Sequence, residues 1–71
     1  MTNIGQIILI DHSGKPTVWP IHKSTACDED HLLQMFENAK MMCAYELGMG
    51  GTLKLFNISG ELIKEQRGCV A

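Results

Sequence analysis

The apolar residues follow two different periods along the chain. Before residue 23 and after residue 51 they form short, partly β-branched runs separated by turn-forming residues, a pattern that predicts strands. Between these regions they recur every three or four residues, which predicts an α-helix. The predicted order is two strands, one helix and two more strands. The strands are expected at about 4–10, 17–22, 52–57 and 61–66, and the helix at about 28–47.

The predicted helix has recognisable signals at both ends. Residues 28–30 are acidic, as favoured at the positive end of the helix dipole, and either Thr25 or Asp28 could cap that end. Gly48 opens a glycine-rich stretch that stops the helix. The buried face of the helix is expected to carry Leu32, Met35, Phe36, Ala39, Met42, Cys43 and Leu47.

Chain topology follows from the short turns and the single crossover. Residues 11–14 and 57–60 share an Asx-x-Ser-Gly pattern that suits tight hairpins. A right-handed crossover through the helix makes the third strand parallel to the second, so the first strand fits between them. That order also leaves Pro20, which has no N–H to donate, on an edge strand. We predict an α+β fold, ββαββ, with a four-stranded antiparallel sheet in the order 2-1-3-4 and one helix packed on one face.

Chain length makes a self-sufficient monomer marginal. The 71 residues predict one small domain spanning 1–71. A chain of this size buries only about 60% of its unfolded surface on folding, so association with a copy or a partner is favoured. The predicted strands carry apolar residues on both sheet faces, although one helix can cover only one of them. We therefore expect an interaction module that acts as a homodimer, through the sheet face or the C-terminal half of the helix, with these candidate residues: Trp19, Phe56, Ile63, Met41 and Tyr45.

Charge makes nucleic acid a weaker expectation than a protein partner. The formal net charge is −2, and the basic residues are scattered along the chain. The alternative hypothesis is single-stranded nucleic-acid binding through the open sheet face, with Trp19 and Phe56 stacking on bases. Lys54, Lys64 and Arg67 would then converge on that face to contact phosphates.

Candidate chemistry is sparse in the sequence. Cys27 and His31 have a spacing that could share a metal ion on one helix face, but a structural zinc site needs four ligands and no second Cys/His pair has a recognised spacing. No nucleophile–base pair stands out, because Cys43 belongs to the buried stripe and Cys27 has acidic neighbours. We therefore predict no enzymatic activity, no metal and no cofactor.

Cysteine usage and hydropathy bear on location. The three cysteines fit no disulfide framework and are expected to be free thiols in a reducing compartment. No run of about 18 apolar residues is present, so no membrane span is expected. These features predict a cytoplasmic protein.

The stretch from residue 51 to residue 62, which follows a helix ending in Leu47 and Gly48, resembles the YdaT-like small bacterial proteins of unknown function. In those proteins a strand with a tryptophan precedes the helix, and Trp19 occupies the comparable place here. Pro20 after the tryptophan and the acidic first helical turn depart from that pattern. The resemblance implies a fold and no activity. By analogy, small acidic proteins of this kind occur among phage and mobile-element products that bind host proteins.

Overall fold

Six elements make up the fold. The computed structural model describes residues 2–68. Along the chain these are β1 (Asn3–Ile10), β2 (Pro16–His22), α1 (Asp28–Met42), α2 (Ala44–Gly48), β3 (Thr52–Asn57) and β4 (Leu62–Arg67).

The sheet has the predicted topology. Its four strands lie in the order β2-β1-β3-β4, and every neighbouring pair is antiparallel. The apolar strand β1 is central, and β2 with Pro16 and Pro20 forms one edge. The α+β class and the strand order predicted from the sequence are confirmed.

The predicted single helix over 28–47 is wrong in one respect, because it is interrupted at Cys43. The backbone there has φ −102° and ψ 20°, although the Cys43 N–H still donates to the Ala39 carbonyl at 2.8 Å. No proline or glycine lies at the bend, and the Cys43 side chain is buried in the core there. α2 then ends in a Schellman motif, in which the Gly51 N–H donates to the Glu46 carbonyl at 2.9 Å and the Gly50 N–H to the Leu47 carbonyl at 3.1 Å, with Gly50 at φ 97°. The glycine-rich stretch therefore stops the helix as predicted, and β3 begins directly after it.

The start of α1 also differs from the expectation. Cys27 is the N-cap residue and makes no side-chain capping hydrogen bond, so neither Thr25 nor Asp28 caps the helix. Asp28 instead pairs with Lys23 at 3.0 Å, which links the helix to the loop after β2. Both side chains are about half exposed, and such surface pairs contribute on the order of 0–1 kcal/mol. The acidic first turn otherwise complements the helix dipole, as predicted.

The core lies between α1 and one face of the sheet. From the helix, Leu32, Phe36, Ala39 and Cys43 are buried, as the sequence pattern predicts. The prediction that Met42 is buried is wrong, because its side chain is 82% exposed. Leu33, which was expected to lie outside the apolar stripe, packs against the core. The sheet contributes the remaining buried apolar residues: Ile4, Ile7, Leu9, Ile21, Leu53 and Leu55.

The two hairpin turns are built alike. Asp11 Oδ1 accepts backbone N–H groups at positions 13 and 15, at 3.0 and 2.9 Å. Asn57 Oδ1 accepts the equivalent N–H groups at positions 59 and 61, both at 3.0 Å. Gly14 and Gly60 have φ of 89° and 86°, a conformation that side chains with a Cβ rarely adopt. The repeated Asx-x-Ser-Gly pattern therefore specifies one turn structure twice.

Replacing Phe36 tests the position of the core. Its side chain lies on the buried face of α1 and is 1% exposed, so Phe36→Ala is expected to lower the free energy of unfolding by about 3–5 kcal/mol. A domain of this size has little more than that to lose, so thermal melting followed by circular dichroism should show a largely unfolded protein. Met41→Ala is the control, since Met41 is 80% exposed and its loss should leave the melting temperature almost unchanged. Equal melting of the two variants would contradict the assigned helix face.

Candidate interaction surfaces

One helix covers only part of the sheet. A four-stranded sheet is about 19 Å wide, whereas a helix is only about 10–12 Å in diameter. The main sheet contacts of α1 are with the central strands β1 and β3. Apart from Ile21, which is buried, the helix-facing side chains of the two edge strands are therefore left partly in solvent.

Trp19 marks the uncovered region over β2. Its register partner is Ile7, a buried residue beneath α1, so the indole belongs to the helix side of the sheet. The side chain is nevertheless 41% exposed. An open cavity of about 260 Å³ separates it from the helix, and we call this cavity the β2 groove. Its lining residues are Ile7, Trp19, Pro20, Met35, Asn38, Ala39, Met42 and Cys43.

The two flanks of α1 differ in charge. Met35, Asn38 and Met42 line the β2 groove and are spaced to fall on one flank of the helix. Between residues 31 and 45, only Glu37 and Lys40 are charged at neutral pH. They pair with each other, and the charge of Lys64 on β4 contributes to lowering the pKa of Glu37, after the main effect of Lys40. The flank towards β4 is therefore charged, and the flank over the β2 groove is not.

The apolar flank continues into an exposed helix end. Met41, Met42 and Tyr45 are 80%, 82% and 74% exposed. Large apolar side chains gathered at this exposure are typical of interaction sites when they adjoin one another. Met41 and Tyr45 were predicted as interaction residues, and the structure places them beside the β2 groove residue Met42. Met42 was not predicted as an interaction residue, because its helical spacing also suits a core position.

The second candidate surface is the sheet face away from the helix, here called the open sheet face. Register places its side chains in three rows across the order β2-β1-β3-β4. The rows are Pro16, Ile10, Thr52 and Arg67; Val18, Ile8, Lys54 and Glu65; Pro20, Gln6, Phe56 and Leu62. None of these side chains is buried. Apart from Gln6, the side chains of the β2 and β1 half are apolar, and so are Phe56 and Leu62 at one end of β3 and β4.

Charge on the open sheet face is confined to one corner and balanced there. Glu65 accepts a hydrogen bond from Arg67 Nε at 2.7 Å and lies 4.0 Å from Lys54 Nζ. The Arg67 hydrogen bond, followed by the positive charges of Arg67 and Lys54, lowers the pKa of Glu65. Lys64 is the register partner of the buried Leu55 and belongs to the helix side. The predicted convergence of Lys54, Lys64 and Arg67 on one face is therefore wrong.

The two aromatic candidates also lie on different faces. Phe56 belongs to the open sheet face, in the row of Gln6, whereas Trp19 belongs to the helix side. Alternation along paired strands enforces this separation, because Phe56 follows the buried Leu55 and Trp19 pairs with Ile7. A stacking platform that uses Trp19 and Phe56 together is not formed.

Ile63 lies apart from the other candidates. The register of β3 and β4 shifts between Leu55 and Phe56, which leaves Ile63 as the extra residue of a β-bulge. It lines a depression near the start of α1 together with Ile4 and Leu32. The five predicted interaction residues are thus distributed over three regions rather than one surface.

The polar candidates lie on separate elements. Cys27 is exposed at the start of α1, and Cys43 is buried at the bend. Burial, followed by the charge of Glu46, raises the pKa of the Cys43 thiol, so Cys43 is poorly suited to act as a nucleophile. Within residues 2–68, no three His, Cys, Asp or Glu side chains are placed to hold a metal ion. Cys69 lies outside the described residues.

Thiol reactivity distinguishes the two described cysteines. In a Cys69→Ser background, a thiol-specific reagent at pH 8 should modify Cys27 quickly. Cys43 should react at least about tenfold more slowly, since both its burial and its raised pKa reduce the accessible thiolate. Adding Cys27→Ser should remove the fast phase, whereas adding Cys43→Ser should retain it. A fast phase that survives Cys27→Ser would contradict the buried position of Cys43.

Because known proteins give no match, a role for this chain has to be argued from its fold and these surfaces. Among the described residues, no helix has the length and apolar character needed to cross a membrane. No family model, curated protein or solved structure matches the chain. The resemblance to YdaT-like proteins therefore remains a prediction.

Proposed function

We propose that this protein is a non-enzymatic interaction module that acts as a homodimer and binds a protein partner. The observation that carries the proposal is the one-sided core. The buried apolar residues of the described chain lie between α1 and one sheet face, while the open sheet face and the β2 groove leave apolar side chains in solvent. Apolar patches of this kind mark sites of association.

The sheet edges favour association through faces rather than through strand addition. β2 contains Pro16 and Pro20, each of which lacks the N–H needed to pair with another strand. β4 carries Lys64, Glu65 and Arg67, and edge charges oppose pairing with a second chain. The open sheet face and the flank of α1 have no such protection. The proposal therefore places recognition on these two surfaces.

The proposed cellular location is based on the free cysteines. Cys27 and Cys43 are free, and the exposed Cys27 suits a reducing compartment such as the bacterial cytoplasm. A phage or mobile-element product directed at a host protein would have this small, acidic and apolar-faced character, and we include that origin in the proposal.

Single-stranded nucleic-acid binding has less support as an alternative function. Phe56 offers one stacking position on the open sheet face. Lys54 and Arg67 share that face, but both are near Glu65, whose charge offsets part of their attraction for phosphate. The separation of Trp19 from Phe56 removes the second stacking group. The protein-binding proposal requires no such convergence.

Light scattering tests the homodimer directly. At tens of micromolar, the wild-type protein should have a mass of about 15.8 kDa, twice the 7.9 kDa of one chain. The double variant Met41→Lys with Tyr45→Lys should keep its circular dichroism spectrum, since both side chains are exposed. It should nevertheless dissociate, because association would bury unpaired charges. A wild-type mass of one chain, with no protein recovered in a pull-down, would contradict the proposal.

Fluorescence polarisation tests the alternative. Labelled single-stranded DNA and RNA at low salt should show no binding at tens of micromolar protein. If binding does occur, Phe56→Ala should weaken it by at least about tenfold, because stacking contributes about 1–3 kcal/mol per base. Trp19→Ala is the matched control from the opposite side of the sheet. Binding that depends on Phe56 and falls with salt would favour the nucleic-acid function over the proposed one.

A further inference from the structure

We infer that the depression at the start of α1 binds a segment of a partner protein in which an apolar side chain lies beside a lysine or an arginine. The depression has a volume of about 360 Å³ and lies between the first turn of α1 and the turn that joins β3 to β4. The inference rests on the proposed role in protein binding, but it does not depend on the homodimer. The apolar lining residues are Ile4, Leu32, Ile58 and Ile63, and the charged ones are Asp28 and Glu29.

Two β-bulges bring isoleucines into this depression. The register of β1 and β2 shifts at the start of β1, which leaves Ile4 as an extra residue, and the shift between β3 and β4 does the same for Ile63. Strict alternation counted from Ile7 and from Lys64, which lie on the helix side, would place both isoleucines on the open sheet face. The bulges instead turn both of them towards α1. Bulges that redirect side chains are common next to functional sites.

The depression has a closed floor and an exposed apolar rim. Ile4 and Leu32 are buried, so the core of the domain forms the floor. Ile58 is 70% exposed and Ile63 is 36% exposed, and both stand at the rim. The volume lies at the lower end of the range for ligand pockets, which is about 300–1,000 Å³. An apolar side chain on the floor would therefore also cover the rim isoleucines.

The helical side of the rim is negatively charged. Asp28, Glu29 and Asp30 occupy the first turn of α1, and the first two line the depression. Lys23 offsets one of these charges, because its ammonium group pairs with Asp28 at 3.0 Å. The amino-terminal end of the helix contributes a further half of a positive charge, which leaves roughly one and a half negative charges at the rim.

The apolar floor and the negative rim together define the chemistry of the occupant. A negative rim repels phosphate groups, which disfavours nucleic acid and anionic lipid headgroups. Glu29 is exposed and makes no ion pair within residues 2–68, so it is available to a basic side chain. Complementary charge around an apolar contact supplies specificity more than affinity. We therefore expect selective binding with a dissociation constant in the micromolar range.

Selection from a random peptide library tests this chemistry. The probe is a phage-displayed library of linear peptides, and the target is the immobilised full chain. Enriched peptides should carry leucine, isoleucine, methionine or phenylalanine within two positions of a lysine or an arginine. Synthetic copies, measured by fluorescence polarisation, should bind at least about threefold more weakly when salt rises from about 0.1 M to about 1 M. Over that range the screening length falls from about 10 Å to about 3 Å.

Two substitutions with matched controls locate the binding site of these peptides. Glu29→Lys should weaken binding by at least about tenfold, because attraction becomes repulsion. Glu46→Lys makes the same change in α2, outside the depression, and is its control. Ile63→Ala should weaken binding by about tenfold through lost apolar contact, and Val18→Ala on the open sheet face is its control. Both controls should bind like the wild type, and all four variants should keep the wild-type circular dichroism spectrum.

The outcomes separate this inference from the proposed homodimer. Peptides without basic residues, or no enrichment at all, would overturn the inference, and so would binding that neither Glu29→Lys nor Ile63→Ala weakens. If Ile63→Ala lowers the mass of a wild-type dimer, a second copy occupies the depression and the assigned occupant is wrong. A monomer that binds the peptides at this site would overturn the homodimer alone, whereas a dimer that binds none would overturn this inference alone.

Discussion

The structure depends on a mismatch between the width of its sheet and the width of its helix. One helix can bury the inward side chains of about two strands, and α1 does so over β1 and β3. Phe36, Leu53 and Leu55 are almost fully enclosed as a result. Among the inward positions of the edge strands Ile21 is enclosed, whereas Trp19 lies beside an open groove and Lys64 reaches towards the charged flank of the helix.

The helix leaves the sheet uncovered over β2 and over β4, and these two regions differ in charge. On the β4 side, Glu37, Lys40 and Lys64 bring charge next to the helix, and that region is compatible with water. On the β2 side the helix presents methionines and an asparagine to an indole and an isoleucine. Contact with water alone does not require the two flanks of α1 to differ in charge. The apolar region over β2 is the one on which the proposed association rests.

Much of this fold could be predicted from the sequence because several local signals agree. The β-branched β1, the proline-containing β2 and the crossover rule each restrict the strand order, and the order 2-1-3-4 satisfies all three with every neighbouring pair antiparallel. The Asx-x-Ser-Gly turns act in the same way, since each fixes its hairpin through a side-chain oxygen and a glycine at positive φ. The bend at Cys43 escaped prediction because no proline or glycine marks it in the sequence, whereas the helix stop at residues 48–51 was predicted from its glycines and forms a local Schellman motif.

The interaction surfaces were harder to predict for a related reason. The helical period identifies an apolar stripe on the helix. It does not show which residues at the margins of that stripe the sheet will cover. Met42 and Leu33 illustrate this, because the stripe is displaced towards Leu33 and leaves Met42 in solvent. Strand alternation separates Trp19 from Phe56, yet it does not show which face the single helix will cover. The position of α1 over β1 and β3 settles both questions, and it leaves the uncharged flank of the helix facing the uncovered strand.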